Sequence, residues 1–442
     1  MGVTTLVRGG GCRECERLSE ENRVLREENR VLKERLDLLE SSVVRAGWYK
    51  PSVKPVEEKK KPGRKEGHVG AGRRKPDYVD ESVVVKLERC PGCGGTLEEP
   101  YSVRSRYVWD VPPPTTIKVT EYMIHRYWCP CCSRSVEAQP DTLPYFRLGM
   151  GVWGWAYVLN HQLNVSFDKI AWWMREVWNL PVTKGALTQG LDSLAEHLKP
   201  VYDGMIQDLR DNPYVNTDET GCRVNGVNQW TWVFHTPNQT VYWTDPSRGS
   251  QVPERILGEH YSGTVVSDDY VAYSPLKYTK QACWVHLIRK IRDYAEMKKA
   301  HPEQKRLHHR LQKTYHDLKE YLKKTPPPTE RKHHYLRFER RLKRITKQKW
   351  ETQEARKVAE RIKRRLPEYL TCVIHPDIPP QNNSAEQALR PRVIHRKNSS
   401  TRNPKSAQTH DILNSLLTTK LQTTPNPLEA THQILTQITT KN

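Results

Sequence analysis

The stretch YVNTDETGCRVNGVNQWTWVFH, residues 214–235, decides the fold of this chain. Two runs rich in β-branched and aromatic residues flank Asn225-Gly226, which is the strongest short signal for a β-hairpin. Pro237-Asn-Gln239 then turns the chain toward a further β-type run at residues 240–244. We therefore predict three consecutive antiparallel strands.

The segments that follow extend this sheet. A helix is predicted at about residues 251–260, and a fourth strand runs from Gly263 to Asp268. Residues 281–286 are interpreted as a fifth strand or its end, and a helical run begins near residue 383. Three antiparallel strands, a helix, a strand and a later helix form the order of a ribonuclease-H-like core, which we expect here.

Three acidic residues lie where such a core would bring them together. Asp218 closes the first strand-like run, Asp268 closes the fourth, and Glu386 lies at the start of the helical run. At one edge of a sheet they can hold two divalent cations, Mg²⁺ or Mn²⁺, which stabilise the attacking and leaving oxygens of an in-line attack on phosphorus. The alternative is structural: the aspartates end strands or cap helices, and Glu386 forms a capping box with Asn383.

Net charge points to a polyanionic partner. The 442 residues include 72 Lys and Arg against 51 Asp and Glu, a formal charge of +21. Nucleic acid is the usual partner of such a surplus, and a ribosome-like or merely soluble basic protein is the alternative. Since no run of eighteen apolar residues and no signal peptide is visible, we expect a cytoplasmic protein without membrane contact. The ten cysteines then favour metal ligation over disulfides.

Residues 16–45 predict a coiled-coil dimerisation helix. Leucines recur every seven residues, with Asn22 and Asn29 at the neighbouring core position. Leucine at d with asparagine at a favours a parallel two-stranded register, so we expect a homodimer. A lone solvated helix is the alternative. The heptad leucines are Leu18, Leu25, Leu32 and Leu39.

Residues 46–80 predict a basic flexible linker, because charge is mixed with Gly and Pro and apolar residues are few. Such a strip can follow DNA phosphates, or it can be a plain solvated spacer. The candidate DNA-binding residues here are Lys61, Arg64, Lys65, Arg73 and Arg74.

Residues 81–140 predict a zinc-binding domain. Cysteine pairs in turn sequences can close a tetrahedral four-thiolate site of the zinc-ribbon type. Cys131 is the alternative fourth ligand, and the isolated pair Cys12 and Cys15 receives no role. The predicted ligands of the structural Zn²⁺ are Cys90, Cys93, Cys129 and Cys132.

Residues 141–210 predict a helical DNA-binding segment rich in Trp. Ser166 and Thr183 are expected N-caps of two helices joined by a short turn, as in a helix-turn-helix. A helical hairpin that only packs its Trp side chains is equally compatible. On the exposed face of the second helix lie the candidate DNA contacts Lys184, Thr188 and Gln189.

The remaining boundaries follow from these elements. Residues 211–286 form the first part of the core, 287–370 a basic helical insertion broken near Pro326–Pro328, and 371–442 its completion with Glu386 and a tail. The predicted fold class is therefore multidomain α+β, with coiled coil, zinc ribbon, helical DNA-binding segment and a ribonuclease-H-like catalytic core. The insertion is interpreted as a DNA-facing wall, with a solvated helical hairpin as the alternative.

Several motifs resemble the large DDE transposases of the insertion-sequence sixty-six family. The resemblance covers most of the chain and implies that Asp218, Asp268 and Glu386 are catalytic. It also implies a structural role near the active site for Cys283 and His286. The motifs are Asp218-Glu-Thr220, Ser247-Arg-Gly249, Ser267-Asp-Asp-Tyr270 with Tyr273, Gln281-Ala-Cys-Trp-Val-His286, and Asn382-Asn-Ser-Ala-Glu-Gln-Ala-Leu-Arg-Pro391 leading to Arg396-Lys-Asn398.

Two features depart from the family pattern. Asp269 stands where the family usually has Gly, which adds a potential wrong metal ligand. The segment from Ser399 onward is rich in Thr and Asn and lacks the usual Gly-bearing stretch, so it predicts a diverged or frameshifted end.

The resulting hypothesis is a DNA transposase that cuts at the element's ends and transfers the freed 3′-OH into target DNA. Arg390, one turn after Glu386, is expected to touch the scissile phosphate or to pair with Glu386. Double-stranded DNA, a second copy of the chain and helper proteins of the same element are the expected partners, in a nucleoid-associated location. The alternatives are a dimeric zinc-containing DNA-binding regulator and an inactive transposase that only binds ends.

Overall fold

The computed structural model describes residues 20–31, 79, 82, 117–121, 123, 126–131, 133–137, 146–297 and 300–439. The chain divides into two units, Met1–Asp110 and Val111–Asn442. In the first unit, helix α1 spans residues 20–31 and is exposed along its length, including Leu25. The other three heptad leucines, the basic linker residues and the pair Cys12 and Cys15 lie outside the described residues.

A short hairpin lies in the predicted zinc domain. Strand β1 (Arg126–Cys129) pairs antiparallel with β2 (Arg134–Glu137). Cys131, in the turn between them, is exposed and has a free thiol. The side chain of Cys129 and the whole of Cys90, Cys93 and Cys132 lie outside the described part of the chain, so the predicted zinc ligand set remains a prediction.

In the described part of the second unit, three helices precede the five-stranded sheet. They are α2 (Met150–Tyr157), continued by a π-helical turn (Val158–Gln162), α3 (Phe167–Trp178) and α4 (Lys184–Arg210). Both predicted N-caps are confirmed, since Ser166 accepts from Lys169 N and Thr183 accepts from Ala186 N.

A five-stranded mixed sheet forms the centre of the second unit. Its strands are β3 (Tyr214–Val224), β4 (Val227–His235), β5 (Thr240–Asp245), β6 (Thr264–Ser267) and β7 (Thr279–Ala282). Their spatial order is β5-β4-β3-β6-β7. The first three strands are antiparallel, whereas β6 runs parallel to β3 and β7 runs parallel to β6. Asn225 and Gly226 both have positive φ, as the predicted tight hairpin requires.

Helix α5 (Gln251–Leu257) connects β5 to β6 and ends three residues earlier than predicted. Its backbone breaks at Gly258, where φ is +86°. A conformation with positive φ favours glycine and stops the helix.

The interpretation of residues 281–286 as a strand is wrong beyond Ala282. Cys283 is the N-cap of helix α6 (Trp284–Ala295), so His286 lies on a helix. Apolar residues at helical spacing, Leu287 and Ile291, are buried in a core that α6 shares with three further helices. These are α7 (Pro302–Lys323), α8 (Pro328–Lys347) and α9 (Gln353–Ile374).

The remaining helices are α10 (Asn383–Asn398), α11 (Pro404–Lys420) and α12 (Pro427–Thr439). The expectation of a diverged end from Ser399 onward concerns sequence, and it stays a prediction; the packing shows that the segment belongs to the core. Helix α11 buries Ile412, Leu413 and Leu416 in the same core as the sheet, and α12 adds Ile434 and Leu435. The segment is a structural part of the unit.

Polar side chains of α11 satisfy the free edge of the sheet. Backbone N–H groups of Thr240 and Thr244 donate to Thr419 Oγ1 and Asp411 Oδ2, and Tyr242 N donates to Ser415 Oγ. Four helical residues rise about 6 Å and two strand residues about 6.8 Å, so positions i, i+4 and i+8 of a helix can match alternate residues of a strand. An edge strand that would otherwise expose a row of donors is thereby covered.

Within the described residues, none of the helices has the length and apolar character needed to cross a membrane.

Candidate active site

Asp218 lies in the middle of the sheet on its central strand. It pairs with Val233 of β4, and Asn216, two residues earlier on the same strand, pairs with Val266 of β6. Because side chains alternate along a strand, Asp218 faces the same side as Val233, where α10 packs. Its Oδ1 accepts from Glu219 N at 2.9 Å.

Asp268 follows β6 directly, on the neighbouring strand. Its Oδ1 accepts from Tyr270 N at 2.8 Å, which fixes the carboxylate in the turn after the strand. The sheet therefore carries the two aspartates on adjacent parallel strands, as predicted.

Glu386 lies in the first turn of α10, which packs over β3 and β4. The capping-box interpretation is wrong, since the helix begins after Asn382 and no side chain caps it. The Asn382 side chain is buried and instead donates to Thr217 O at 2.7 Å and accepts from Asn216 Nδ2 at 2.9 Å. Asn382 thus ties the start of α10 to the strand residue that precedes Asp218.

Cys283 and His286 lie beside this junction. The buried Cys283 Sγ accepts from Asn382 N at 3.3 Å. His286 Nε2 is 3.3 Å from Glu386 Oε1, and Arg289 Nη2 is 3.8 Å from Glu386 Oε2. Burial lowers the pKa of His286, so the ring is neutral at neutral pH despite the nearby carboxylates.

Glu386 Oε1 has no hydrogen-bond partner although it is buried. The short distance to His286 is an ion-pair distance without hydrogen-bond alignment, and His286 Nε2 also lies 3.5 Å from Arg289 Nη1. If Arg289 donates to this nitrogen, the nitrogen cannot also donate to Glu386. A buried carboxylate oxygen without a hydrogen-bond partner is suited to bind a cation.

Arg390 does not pair with Glu386, whose charged neighbour is Arg289 and which also lies beside the neutral ring of His286. It is exposed one turn further along α10. Of the two predicted roles, only the phosphate contact stays open.

Asp269 is an anchor for the inserted helices. It forms ion pairs with Arg365 and Arg361 of α9, and Lys290 Nζ lies 4.0 Å away. Helix α9 is kinked at Arg365, two residues before Pro367. With its charge compensated in this way, Asp269 is not available as the wrong metal ligand considered above.

The acidic groups repel one another. Burial, then Glu219 and Asp268, raise the pKa of Asp218 from 3.8 to about 8, and Glu386 adds to the effect. Burial and Asp268 also raise the pKa of Glu219, although Tyr273 and Arg248 oppose the shift. A carboxylate cluster whose members hinder each other's ionisation fits the binding of divalent cations, which supply the missing positive charge.

Glu219 and its partners lie beside the site, and the sequence analysis assigned them no role. Glu219 points to the face opposite Asp218, where Arg248 and Tyr273 hold both of its oxygens. Both partners lie in motifs that carried the resemblance, Ser247-Arg-Gly249 and the Tyr273 position. A lone carboxylate beside a catalytic candidate was the available signal.

The candidate DNA contacts on α4 have mixed surroundings. Lys184 is exposed but paired with Asp168 at 2.6 Å, and Gln189 is exposed. Thr188 is half-buried and its hydroxyl donates within its own helix. No described contact joins these residues to the three acids.

A second group of metal-type ligands lies elsewhere. In the part of the chain that the structure describes, His301, Glu303 and Glu351 are the set whose ligand atoms all lie within 4.8 Å of one another. The buried Glu303 carboxylate already accepts from Glu351 N and Thr352 N at 2.9 and 2.5 Å. This set connects the start of α7 to the start of α9 and needs no ion.

Comparison with known proteins agrees with these elements. A family model described as "Transposase IS66 family" matches residues 147–409, more than half of the chain. A second, described as "zinc-finger binding domain of transposase IS66", matches residues 88–133, a range that includes all four predicted zinc ligands. An uncharacterized protein, y4jD, of Sinorhizobium fredii (strain NBRC 101917 / NGR234) is 25% identical over 224 residues. That match covers 46% of this chain and 42% of the relative, so it spans less than half of the relative's length.

Proposed function

Because this chain belongs to the IS66 transposase family, we propose that it is a DDE-type DNA transposase. It cuts DNA at the ends of its element and joins the freed 3′-OH to target DNA. Asp218, Asp268 and Glu386 are its catalytic acids.

The observation that supports the proposal is the placement of these acids on neighbouring elements around one sheet. Asp218 and Asp268 come from adjacent parallel strands, and Glu386 comes from the helix that covers them. The strand order and directions favour a ribonuclease-H-like core. The raised pKa of Asp218 supports the same conclusion: burial is its main cause, and neighbouring carboxylates add a repulsion that bound cations would offset.

Two Mg²⁺ or Mn²⁺ ions held here would stabilise both the attacking and the leaving oxygen at phosphorus. Asp218 and Asp268 would be shared by both sites, and Glu386 would complete the second. The three acids do not form a set with ligand atoms within 4.8 Å.

The protein groups around the acids orient them and attract phosphate. His286 and Arg289 lie beside the Glu386 carboxylate, and Cys283 fixes the start of its helix through Asn382. Exposed Arg390 lies one turn away and would contact the scissile phosphate. Arg289 and Lys290 of α6 carry positive charge on this side of the site. This charge would attract the negatively charged DNA backbone.

The other parts of the chain would hold the DNA. The basic linker, α4 and the basic helices α7–α9 supply phosphate contacts, the zinc domain supplies a folded DNA-binding module, and the N-terminal helix joins two copies. In such a dimer each copy can bind one element end. Helper proteins of the same element would be further partners, and the dimer would be associated with the nucleoid. The surplus of +21 supports this assignment.

The test is cleavage of a labelled element-end duplex in Mg²⁺ or Mn²⁺. Asp268→Asn and Glu386→Gln keep the side-chain shape and should reduce nicking by at least about 100-fold, while binding of the duplex persists. Asp211→Asn, an exposed aspartate at the end of α4, is the matched control and should cut normally.

Three outcomes are informative. Metal-dependent nicking lost in both variants supports the DDE assignment. Nicking that survives in Asp268→Asn refutes it. Tight binding without nicking by the wild type, with the element's helper proteins supplied, would favour a regulator or an inactive transposase.

A further inference from the structure

A two-ion site needs its two shared carboxylates at a fixed separation, yet Asp218 and Asp268 belong to different elements. No direct contact joins their side chains among the described hydrogen bonds. One side chain, Arg248, contacts the groups that hold both of them.

Arg248 lies in the loop between β5 and α5, and this loop is tightly fixed. Asp245 Oδ1 accepts from Ser247 N at 2.8 Å, and Ser247 O accepts from Trp232 Nε1 at 3.2 Å. The Arg248 guanidinium is 4.3 Å from the centre of the Trp230 ring. The loop therefore presents Arg248 in one orientation.

On one side, Arg248 is linked to Asp218. Its Nε and Nη2 donate to Glu219 Oε1 at 3.0 and 2.8 Å, and Tyr273 OH donates to Glu219 Oε2 at 2.8 Å. The Glu219 side chain is only 1% exposed, so its charge depends on these partners. Glu219 N in turn donates to Asp218 Oδ1 at 2.9 Å.

On the other side, Arg248 is linked to Asp268. Its guanidinium lies over the Tyr270 ring, 3.7 Å from the ring centre, which is close cation–π contact. The backbone N–H of the same Tyr270 donates to Asp268 Oδ1 at 2.8 Å. The chain of contacts is thus continuous from one aspartate to the other, behind the face that would meet DNA.

We propose that Arg248 is a positioning residue that sets the separation of Asp218 and Asp268 for the divalent ions. The inference rests on the proposed function. A planar guanidinium can donate two N–H groups to Glu219 while stacking on Tyr270 and Trp230, whereas a lysine ammonium keeps the charge but cannot do both. Arg248→Lys therefore removes the paired hydrogen bonds to Glu219 and the stacking on Tyr270. It keeps a positive charge that compensates the buried Glu219 carboxylate.

The test measures binding of Mn²⁺ to the full-length protein without DNA, from the electron paramagnetic resonance signal of free Mn²⁺. Arg248→Lys should weaken binding about tenfold, in the range usual for groups that orient metal ligands. Arg255→Lys is the matched control, because Arg255 pairs with Asp245 nearby, is 55% exposed and contacts neither aspartate. It should bind Mn²⁺ like the wild type.

Thermal unfolding separates positioning from loss of structure. Arg248→Lys is expected to unfold near the wild-type temperature while its Mn²⁺ affinity falls. If Arg248→Lys unfolds at a much lower temperature than the wild type, Tyr270→Leu is the variant that tests the proposal. This change keeps the Arg248–Glu219 pair and the backbone donor to Asp268. Loss of the ring should weaken Mn²⁺ binding about threefold, the equivalent of an exposed cation–π contact.

The outcomes distinguish the two proposals. The role of Arg248 is overturned if folded Arg248→Lys binds Mn²⁺ with wild-type affinity. If the lysine variant is unstable, wild-type affinity in Tyr270→Leu overturns it. Neither result affects the proposal that the three acids are catalytic. If the wild type binds no Mn²⁺, or Asp218→Asn binds it equally well, the proposed active site fails and the role of Arg248 fails with it.

Discussion

Replacing Asp218 by Asn should stabilise the protein when divalent ions are absent. The carboxyl has a pKa of about 8 in the folded chain against an ordinary value of 3.8. Between these pH values the folded state binds the proton more tightly than the unfolded state, so the free energy of unfolding falls as the pH rises through this window. Asn keeps the shape of the side chain and cannot ionise.

The size of the effect follows from the pKa. Each tenfold change in proton affinity is worth about 1.4 kcal/mol, which gives roughly 4 kcal/mol at pH 7 and about 2 kcal/mol at pH 5. At about 2 °C per kcal/mol for a unit of this size, the melting temperature of Asp218→Asn should exceed that of the wild type by about 8 °C at pH 7.

The assay is thermal unfolding at pH 5 and pH 7 in buffer freed of Mg²⁺ and Mn²⁺, without a chelator that would remove zinc. Adding Mg²⁺ should raise the melting temperature of the wild type and leave that of Asp218→Asn almost unchanged, because the ion compensates the buried negative charge of Asp218, which the variant lacks. Asp211→Asn, at an exposed position, should follow the wild type throughout. A variant Asp218→Asn that is no more stable than the wild type at pH 7 would refute the electrostatic reasoning.

Three further predictions concern the supports of the site. Asn382→Ala should lower the free energy of unfolding by about 1–3 kcal/mol, measured by urea unfolding, since it leaves buried groups unpaired. The control Asn403→Ala, at the exposed N-cap of α11, should lower it by only about 1 kcal/mol. Equal losses in the two variants would contradict the role of Asn382 in joining α10 to β3. Elemental analysis should find at least one Zn²⁺ per chain and clearly less in Cys90→Ser, whereas under one Zn²⁺ in the wild type would exclude the four-thiolate site. Residues 1–45 alone should sediment as a dimer at high concentration, and a monomer there would exclude the coiled coil.

The sheet was predictable from the sequence because its signals are local. Asn225-Gly226 specifies a tight turn through positive φ, and the β-rich runs on either side supply the strands. The N-caps Ser166 and Thr183 were predictable for the same reason, since each cap bonds to a backbone group three residues away.

Errors occurred where distant parts of the chain decide the local structure. The motif around Cys283 has strand-like residues, but burial of Leu287 and Ile291 against inserted helices makes it helical after Ala282. The predicted capping box began at Asn383, but the helix starts after Asn382, whose side chain bonds to β3 more than 160 residues earlier. Such choices depend on tertiary partners that no short window contains.

The site itself was predictable only in part. The three acids were placed by the order of strands and helices together with a family resemblance. The link from Glu219 through Arg248 to Tyr270 joins three separate segments, and its residues carry no local pattern that sets them apart. The same holds for Asp269, whose ion pairs with α9 depend on a kink far along the chain.

The covering of strand β5 by α11 has a consequence for the timing of synthesis. Thr419 is added 179 residues after Thr240, which at 5–20 residues per second means a delay of roughly 9–36 s. Until α11 has been made, the backbone donors of Thr240, Tyr242 and Thr244 lack their acceptors. A ribosome-bound intermediate would thus have an open sheet edge that can pair with another chain. Strand β5 is therefore covered only after α11 has been made, so this edge is the last part of the sheet to be completed.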